Sequence, residues 1–146
     1  AKERMQGVWD AAVEAGFSKD DVTLIETPYS IENGAAAMKA LMTGPNPPTA
    51  VMCGNDVLAV GAIGMAQSMG LTVPGNVSVT GFDDIEIASI VPPGLTTVHV
   101  PHKQMGVAAA QVLHALLNGT PEVASQRLST EIVQRHSLGP RPTRGD

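Results

Sequence analysis

Two short apolar runs lead into the residues best suited to chemistry. Ala50 to Cys53 runs into Gly54-Asn55-Asp56, and Val77 to Thr80 runs into Gly81-Phe82-Asp83-Asp84. Carboxamides and carboxylates together supply hydrogen-bond donors and acceptors. In open α/β sheets the carboxyl ends of the strands border the ligand crevice. Two strand ends carrying the same kind of polar group can therefore hold a polar small molecule. The same residue types also cap helices and make turns, and this alternative competes most strongly at Asp56 and Asp84. Arg4 adds a guanidinium near the start of the first helix, on a different side from Trp9. It is either a solvated charge or a planar fork for ligand hydroxyls or a carboxylate. Tyr29 follows another apolar run and so sits, like Asn55 and Asp83, at a strand's carboxyl end.

The elements that must position these groups follow from periodicity. Between the two runs, Leu58, Ala62, Met65, Ala66 and Met69 recur at helical spacing. Gly70 suits the residue after a helix, and Pro74 stops it. A strand, a helix and a strand within about thirty-five residues make a βαβ unit with a parallel pair. A second unit precedes it. Lys2 to Ala15 reads as a helix with an apolar stripe of Met5, Val8, Trp9, Ala12 and Val13, ended by Gly16. Val22 to Glu26 reads as a strand. Ser30 caps a helix carrying Ala35, Met38, Leu41 and Met42, ended by Gly44.

Downstream, Leu95 to Val100 and Arg127 to Gln134 read as strands. A helix begins at Pro101, lined by Val107, Ala110, Leu113 and Leu117. Residues 139–146 read as a disordered tail. Between Asp84 and Pro92, the residues Ile85, Ile87, Ile90 and Val91 cannot all face one core from so short a segment, which suggests a partner surface.

Composition narrows the classes. With 146 residues and 43% apolar content, one domain with a real core fits. A net charge of −5 gives no electrostatic footprint for nucleic acid in this segment. The one cysteine, Cys53, excludes an internal disulfide and suits a reducing compartment. No apolar run reaches eighteen residues, so no membrane partner is expected. Metal-ligand spacings, phosphate loops and nucleophile elbows are missing, so neither a cofactor nor a metal is expected and the chain does not read as an enzyme. Gly61 and Gly64 fall inside a helix, which argues against a dinucleotide loop. Of the four histidines only His99, in a strand ending near the crevice, is a candidate base. Arg127, Arg135, Arg141 and Arg144 read as solvated.

The linked run GND-x-LAVGAIGMAQSMGLTVPGNVSVTGFDD, followed by PPGLTTV, resembles the effector-binding core of lactose-repressor-type transcription regulators. The resemblance spans about Arg4 to Arg135. It implies an α/β fold: a doubly wound parallel sheet with helices on both faces, the C-terminal lobe of a periplasmic-binding-protein-like fold. It assigns ligand hydrogen bonds to Arg4, Asn55 and Asp83 and ring stacking to Tyr29. It assigns dimerisation to this lobe, with Ala35, Leu58, Ile85, Ile87, Ile90 and Val91 as the interface. By the same resemblance, residues 1–100 and 121–136 form a lobe lacking its first strand. Residues 101–120 are a crossover helix belonging to the other lobe, and 137–146 a flexible tail.

The function implied is sensing of a sugar-like effector and homodimerisation, in the cytoplasm, within a regulator whose helix-turn-helix for operator DNA lies outside this segment. A periplasmic sugar-binding subunit of a transporter is the alternative, since it shares the fold. One position departs from the family. Sugar-binding members often carry glutamine three residues after the second threonine of LTT, where this chain has Val100.

Overall fold

The computed structural model describes residues 2–119 and 124–142. Helix α1 (Lys2–Glu14) opens the chain, and a short 3-10 turn (Lys19–Asp21) follows. Helix α2 (Ile31–Thr43), strand β1 (Ala50–Met52), helix α3 (Asp56–Ser68) and strand β2 (Ser78–Thr80) form the centre. A one-turn helix α4 (Ile87–Ile90), strand β3 (Thr97–His99), helix α5 (His102–Leu117) and strand β4 (Glu131–Val133) complete it.

The two helices flanking β1 begin where capping chemistry requires. Ser30 accepts from the Asn33 N–H at the start of α2, and Asn55 accepts from the Leu58 N–H at the start of α3. Strands β1 and β2 pair in parallel with Val51 opposite Val79. The loop after β2 continues beside β3: Gly81 N–H donates to the Thr96 carbonyl and Asp83 N–H to the Val98 carbonyl. Strand β4 closes the sheet antiparallel to β3. The parallel order expected for the three strands before α5, β1 to β3, is thus present, as is the α/β class.

The core lies between this sheet and α3, with α2 packed behind it. Met38, Ile63, Val77, Val79 and Leu95 are all but sealed from solvent. Each such side chain contributes roughly 1.5–3 kcal/mol on burial. Helices α2 and α3 meet backbone to backbone. A methyl group added at Gly34 would overlap the Leu58 carbonyl, and one at Gly61 would overlap the Ile31 carbonyl. On the opposite side of β1, Met52 is 67% exposed.

Three expectations need correction. Val22 to Glu26 forms no strand, and Leu24 and Ile25 are exposed. A strand needs a partner edge to satisfy its backbone groups, and no described segment pairs there.

The supposed tail is not a tail where it begins. Ser137 is fully buried: its N–H donates to the Gly94 carbonyl, its carbonyl accepts from the Val79 N–H, and its hydroxyl bridges the Val79 carbonyl and the Thr96 N–H. Gly139 N–H donates to the Ser78 hydroxyl. The packed body therefore runs on through residue 139, while 143–146 lie outside the described residues. Nor is Arg135 solvated, since its guanidinium lies against Asp84 and the Leu95 carbonyl.

Helix α5 contains no buried residue. Leu113 is 59% exposed and Leu117 78%. A depression of about 390 Å³ opens between it and residues 126–128.

Candidate functional site

Three of the four expected ligand residues gather where β1 and β2 end. Arg4 reaches back from α1, and its Nη1 donates to the Gly54 carbonyl at 2.7 Å. Its guanidinium lies over the Phe82 ring, 4.4 Å from the centroid, a cation–π stack. Tyr29, half exposed, lies across Gly54: a Cβ there would sit 3.3 Å from the ring. Gly54 thus lets two side chains approach the end of β1.

Asp83 lies three residues beyond the end of β2 with φ 108°, a conformation disfavoured for any residue with a Cβ. Burial pushes its carboxyl above the usual range. The Arg4 charge pulls the other way, Asp56 adds to the rise, and His102 opposes it. Asp83 and Arg4 therefore feel one another, yet no ion pair joins them. Their polar groups keep capacity for a third party. His102, at the start of α5, approaches the Asp83 carbonyl with Nε2 at 3.3 Å.

Asn55 is different. It is 8% exposed, and its Oδ1 is occupied as the cap of α3. Only its amide nitrogen remains for a ligand. Asp56 is wholly enclosed, with Oδ1 accepting from the Thr97 hydroxyl at 2.5 Å and Oδ2 from the Ile85 N–H at 2.9 Å. Asp84 accepts from Arg135 and His99. His99 is thereby tied to a carboxylate, which is an ion-pair position. Phe82 and His102 are neighbours of the site that sequence reasoning did not single out. Phe82 was signalled by its place between the β2 end and Asp83. Nothing in the spacing marked His102. No group of three or more His, Cys, Asp or Glu among the described residues could hold a metal ion.

The surface proposed for a partner divides. Ile85 and Ile87 are each 36% exposed and Ile90 is 67% exposed. Ala88, between them, is sealed inside. Val91 packs against the core, Leu58 is buried in the chain's own interior, and Ala35 is half-buried where α2 meets α3. Of these three only Leu58 is buried; Val91 and Ala35 keep part of their surface outward.

A family model described as a periplasmic binding protein-like domain matches residues 1–138. The chain belongs to that family. Several similar proteins are transcription regulators. It is 34% identical over 140 residues to the HTH-type transcriptional repressor PurR of Proteus mirabilis, covering 95% of this chain and 41% of the repressor. It is 35% identical over 140 residues to the probable HTH-type transcriptional repressor ExuR of Bacillus subtilis, covering 94% and 42%. A LacI-family transcriptional regulator from Burkhoderia phymatum superposes with a TM-score of 0.85 at 35% identity, over 94% of this chain and 50% of that one. The lac repressor dimer bound to operator and the anti-inducer ONPF gives a TM-score of 0.86 at 26% identity, over 94% and 47%. A LacI-family regulator from Enterococcus faecium with bound ribose gives 0.86 at 26%, over 94% and 51%.

The resemblance to lactose-repressor-type regulators is therefore borne out. None of these relatives is a transporter subunit, and none is an enzyme. The chain spans about two fifths of the length of the curated repressors it matches.

Proposed function

We propose that this chain is the effector-sensing and dimerisation portion of a cytoplasmic DNA-binding transcription regulator, and that it does no catalysis. The observation carrying this reading is the convergence of Arg4, Tyr29 and Asp83 on the ends of two parallel strands. There the guanidinium stacked on Phe82 and the Asp83 carboxylate stand within electrostatic reach of one another without an ion pair. That pair suits vicinal hydroxyls: the carboxylate accepts, the guanidinium donates, and the Tyr29 ring covers an apolar ring face. Asn55 contributes its amide nitrogen. A sugar-like effector fits, and Val100 leaves one side of it without a polar contact. The ribose complex of the Enterococcus faecium regulator supports the same class.

The effector acts by preferring one arrangement of the two lobes, since only differential affinity shifts an equilibrium. Homodimerisation through Ile85, Ile87 and Ile90 would pass that shift to paired DNA-reading heads outside this segment. The test is calorimetric titration of the full-length protein with ribose, cellobiose and related sugars, beside an Arg4→Ala variant. Saturable binding weakened at least tenfold by the substitution supports the reading. Binding indifferent to Arg4 refutes the site.

A further inference from the structure

Asp84, the neighbour of Asp83, also has a positive φ, 54°. Two consecutive non-glycine residues in this region are costly, of order 1–3 kcal/mol each, and persist only where surroundings over-determine them. Those surroundings are visible. Asp84 Oδ1 accepts from Arg135 Nη2 at 2.7 Å, and Oδ2 lies 3.0 Å from His99 Nδ1. Its side chain is only 15% exposed. Arg135 is itself fixed at two further points: Nη1 donates to the Leu95 carbonyl at 2.8 Å, and its backbone N–H to the Thr96 hydroxyl at 2.9 Å. Asp83, by contrast, is held through its backbone alone, by the Val98 carbonyl and His102.

We propose that Arg135 and His99, through Asp84, are positioning residues that hold the strained turn so that the Asp83 carboxylate stands beside Arg4 at the site. Arg135 lies in the segment that follows β4, far along the chain from every expected ligand residue. The strap therefore makes the C-terminal segment part of the binding site without touching the ligand. It also accounts for an aspartate where a turn would otherwise favour glycine: Asp84 is there for its two partners. The idea rests on the assignment of Asp83 to the site given above.

The experiment uses full-length protein with aspartate 13C-labelled at Cγ. The variants are Asp84→Asn, Arg135→Lys and the milder His99→Gln. Two readouts are taken: the titration midpoint of Asp83, and affinity for ribose and cellobiose. The groups facing Asp83 are Arg4, Asp56 and His102, and those facing Asp84 are Arg135 and His99; the first set is unaltered in every variant. Asp84→Asn should let the turn relax, so that Asp83 titrates closer to its ordinary value of 3.8. Affinity for whichever sugar binds should fall at least tenfold. Arg135→Lys, keeping the charge and one bond to Asp84, should recover part of both. If Asp84→Asn fails to fold, His99→Gln carries the same two readouts. An unchanged Asp83 midpoint with unchanged affinity in a folded variant overturns the proposal, even if melting temperature falls. If the parent binds neither sugar, the sugar reading fails on its own, and the Asp83 midpoint still decides the strap.

Discussion

Asp56, in the first turn of α3, and Thr97, in β3, share a hydrogen bond of 2.5 Å in a region with no solvent access. The same carboxylate takes the Ile85 N–H. One side chain thus ties the crossover helix to β3 and to the loop after β2. Gly81 has no side chain because Asp56 occupies the space a Cβ would need. Replacing Asp56 by Ala removes both acceptors and strands a buried hydroxyl and a buried N–H, each costing roughly 1–3 kcal/mol. We expect a loss of about 3 kcal/mol in a urea titration, a large fraction of a typical ~5–15 kcal/mol total. A loss under ~1 kcal/mol would mean that water replaces the carboxylate without penalty.

Asp56 also marks the limit of what could be read beforehand. Hydrophobic periodicity located α2, α3, β1 and β2, because a 3.6-residue stripe facing a buried sheet leaves its mark in the chain itself. Polar type at a strand end does not say which way a side chain turns. Asn55-Asp56 and Asp83-Asp84 looked alike, yet one aspartate braces the core, one grips Arg135, and Asp83 is left facing Arg4. Those outcomes depend on partners 15 to 79 residues away, the last being Arg4 from Asp83. Val22 to Glu26 failed as a strand for a related reason: its composition is right, but pairing is a property of the neighbour. Ser137 was misread because a polar, glycine- and proline-bearing ending resembles a tail until its hydroxyl is seen between two strands.

Acid should loosen the Asp84 strap. Burial alone would raise this carboxyl, but hydrogen bonds from Arg135 and then His99, with their charges, outweigh it and hold Asp84 below the usual carboxylate range. A lowered folded-state value stabilises the fold above the unfolded value of 3.8, and that stabilisation is lost as pH falls through the folded value. Asp83, raised, works the other way: its ionisation costs stability, so its contribution favours the fold below 3.8 and fades as pH rises through its folded value. Melting curves of Asp84→Asn and the parent should therefore differ at pH 7 and converge in acid, as pH falls below 3.8 and through the folded value of Asp84. A constant gap at both pH values would show that the carboxylate's charge is immaterial.

Cys53 should be inert while the protein is folded. Its thiol sits at the end of β1, where burial, with a smaller contribution from the Asp56 charge, pushes its pKa up to about 12. The thiolate is the reacting species, so at pH 8 alkylation by iodoacetamide should be slow in buffer and rapid in guanidinium. Equal rates, followed by mass spectrometry, would contradict the enclosed environment.

Of the six candidate interface residues, Ile85, Ile87 and Ile90 are the most exposed. Val91 packs inward, so a charge there would test folding rather than assembly. Ile90, 67% exposed on a one-turn helix whose Ala88 is anchored inside, is the better probe. Closed two-fold association is the commonest oligomer, and a charge in its dry centre is poorly tolerated. Ile90→Glu should leave the melting temperature of the monomer unchanged and shift sedimentation from dimer to monomer. A variant that dimerises as well as the parent would remove α4 from the interface.

Helix α5 gives the sharpest contrast. Leu95 is completely buried, whereas Leu113 is 59% exposed on a helix with no buried residue. A leucine truncated in a core leaves a cavity and costs roughly 2–5 kcal/mol. A leucine already in water has almost nothing to lose, within about 0.5 kcal/mol. In a protein consisting of these 146 residues, Leu95→Ala should be severely destabilising and Leu113→Ala nearly neutral by urea denaturation. The apolar side of α5, with Val107, Leu113 and Leu117 in water, should also drive self-association that Leu113→Gln and Leu117→Gln reduce. In the full-length protein the helix was expected to belong to the other lobe, and there Leu113→Ala should cost several-fold more than in the short chain. Equal costs in the two settings would mean that α5 finds no second lobe to pack against, and that expectation would have to be abandoned.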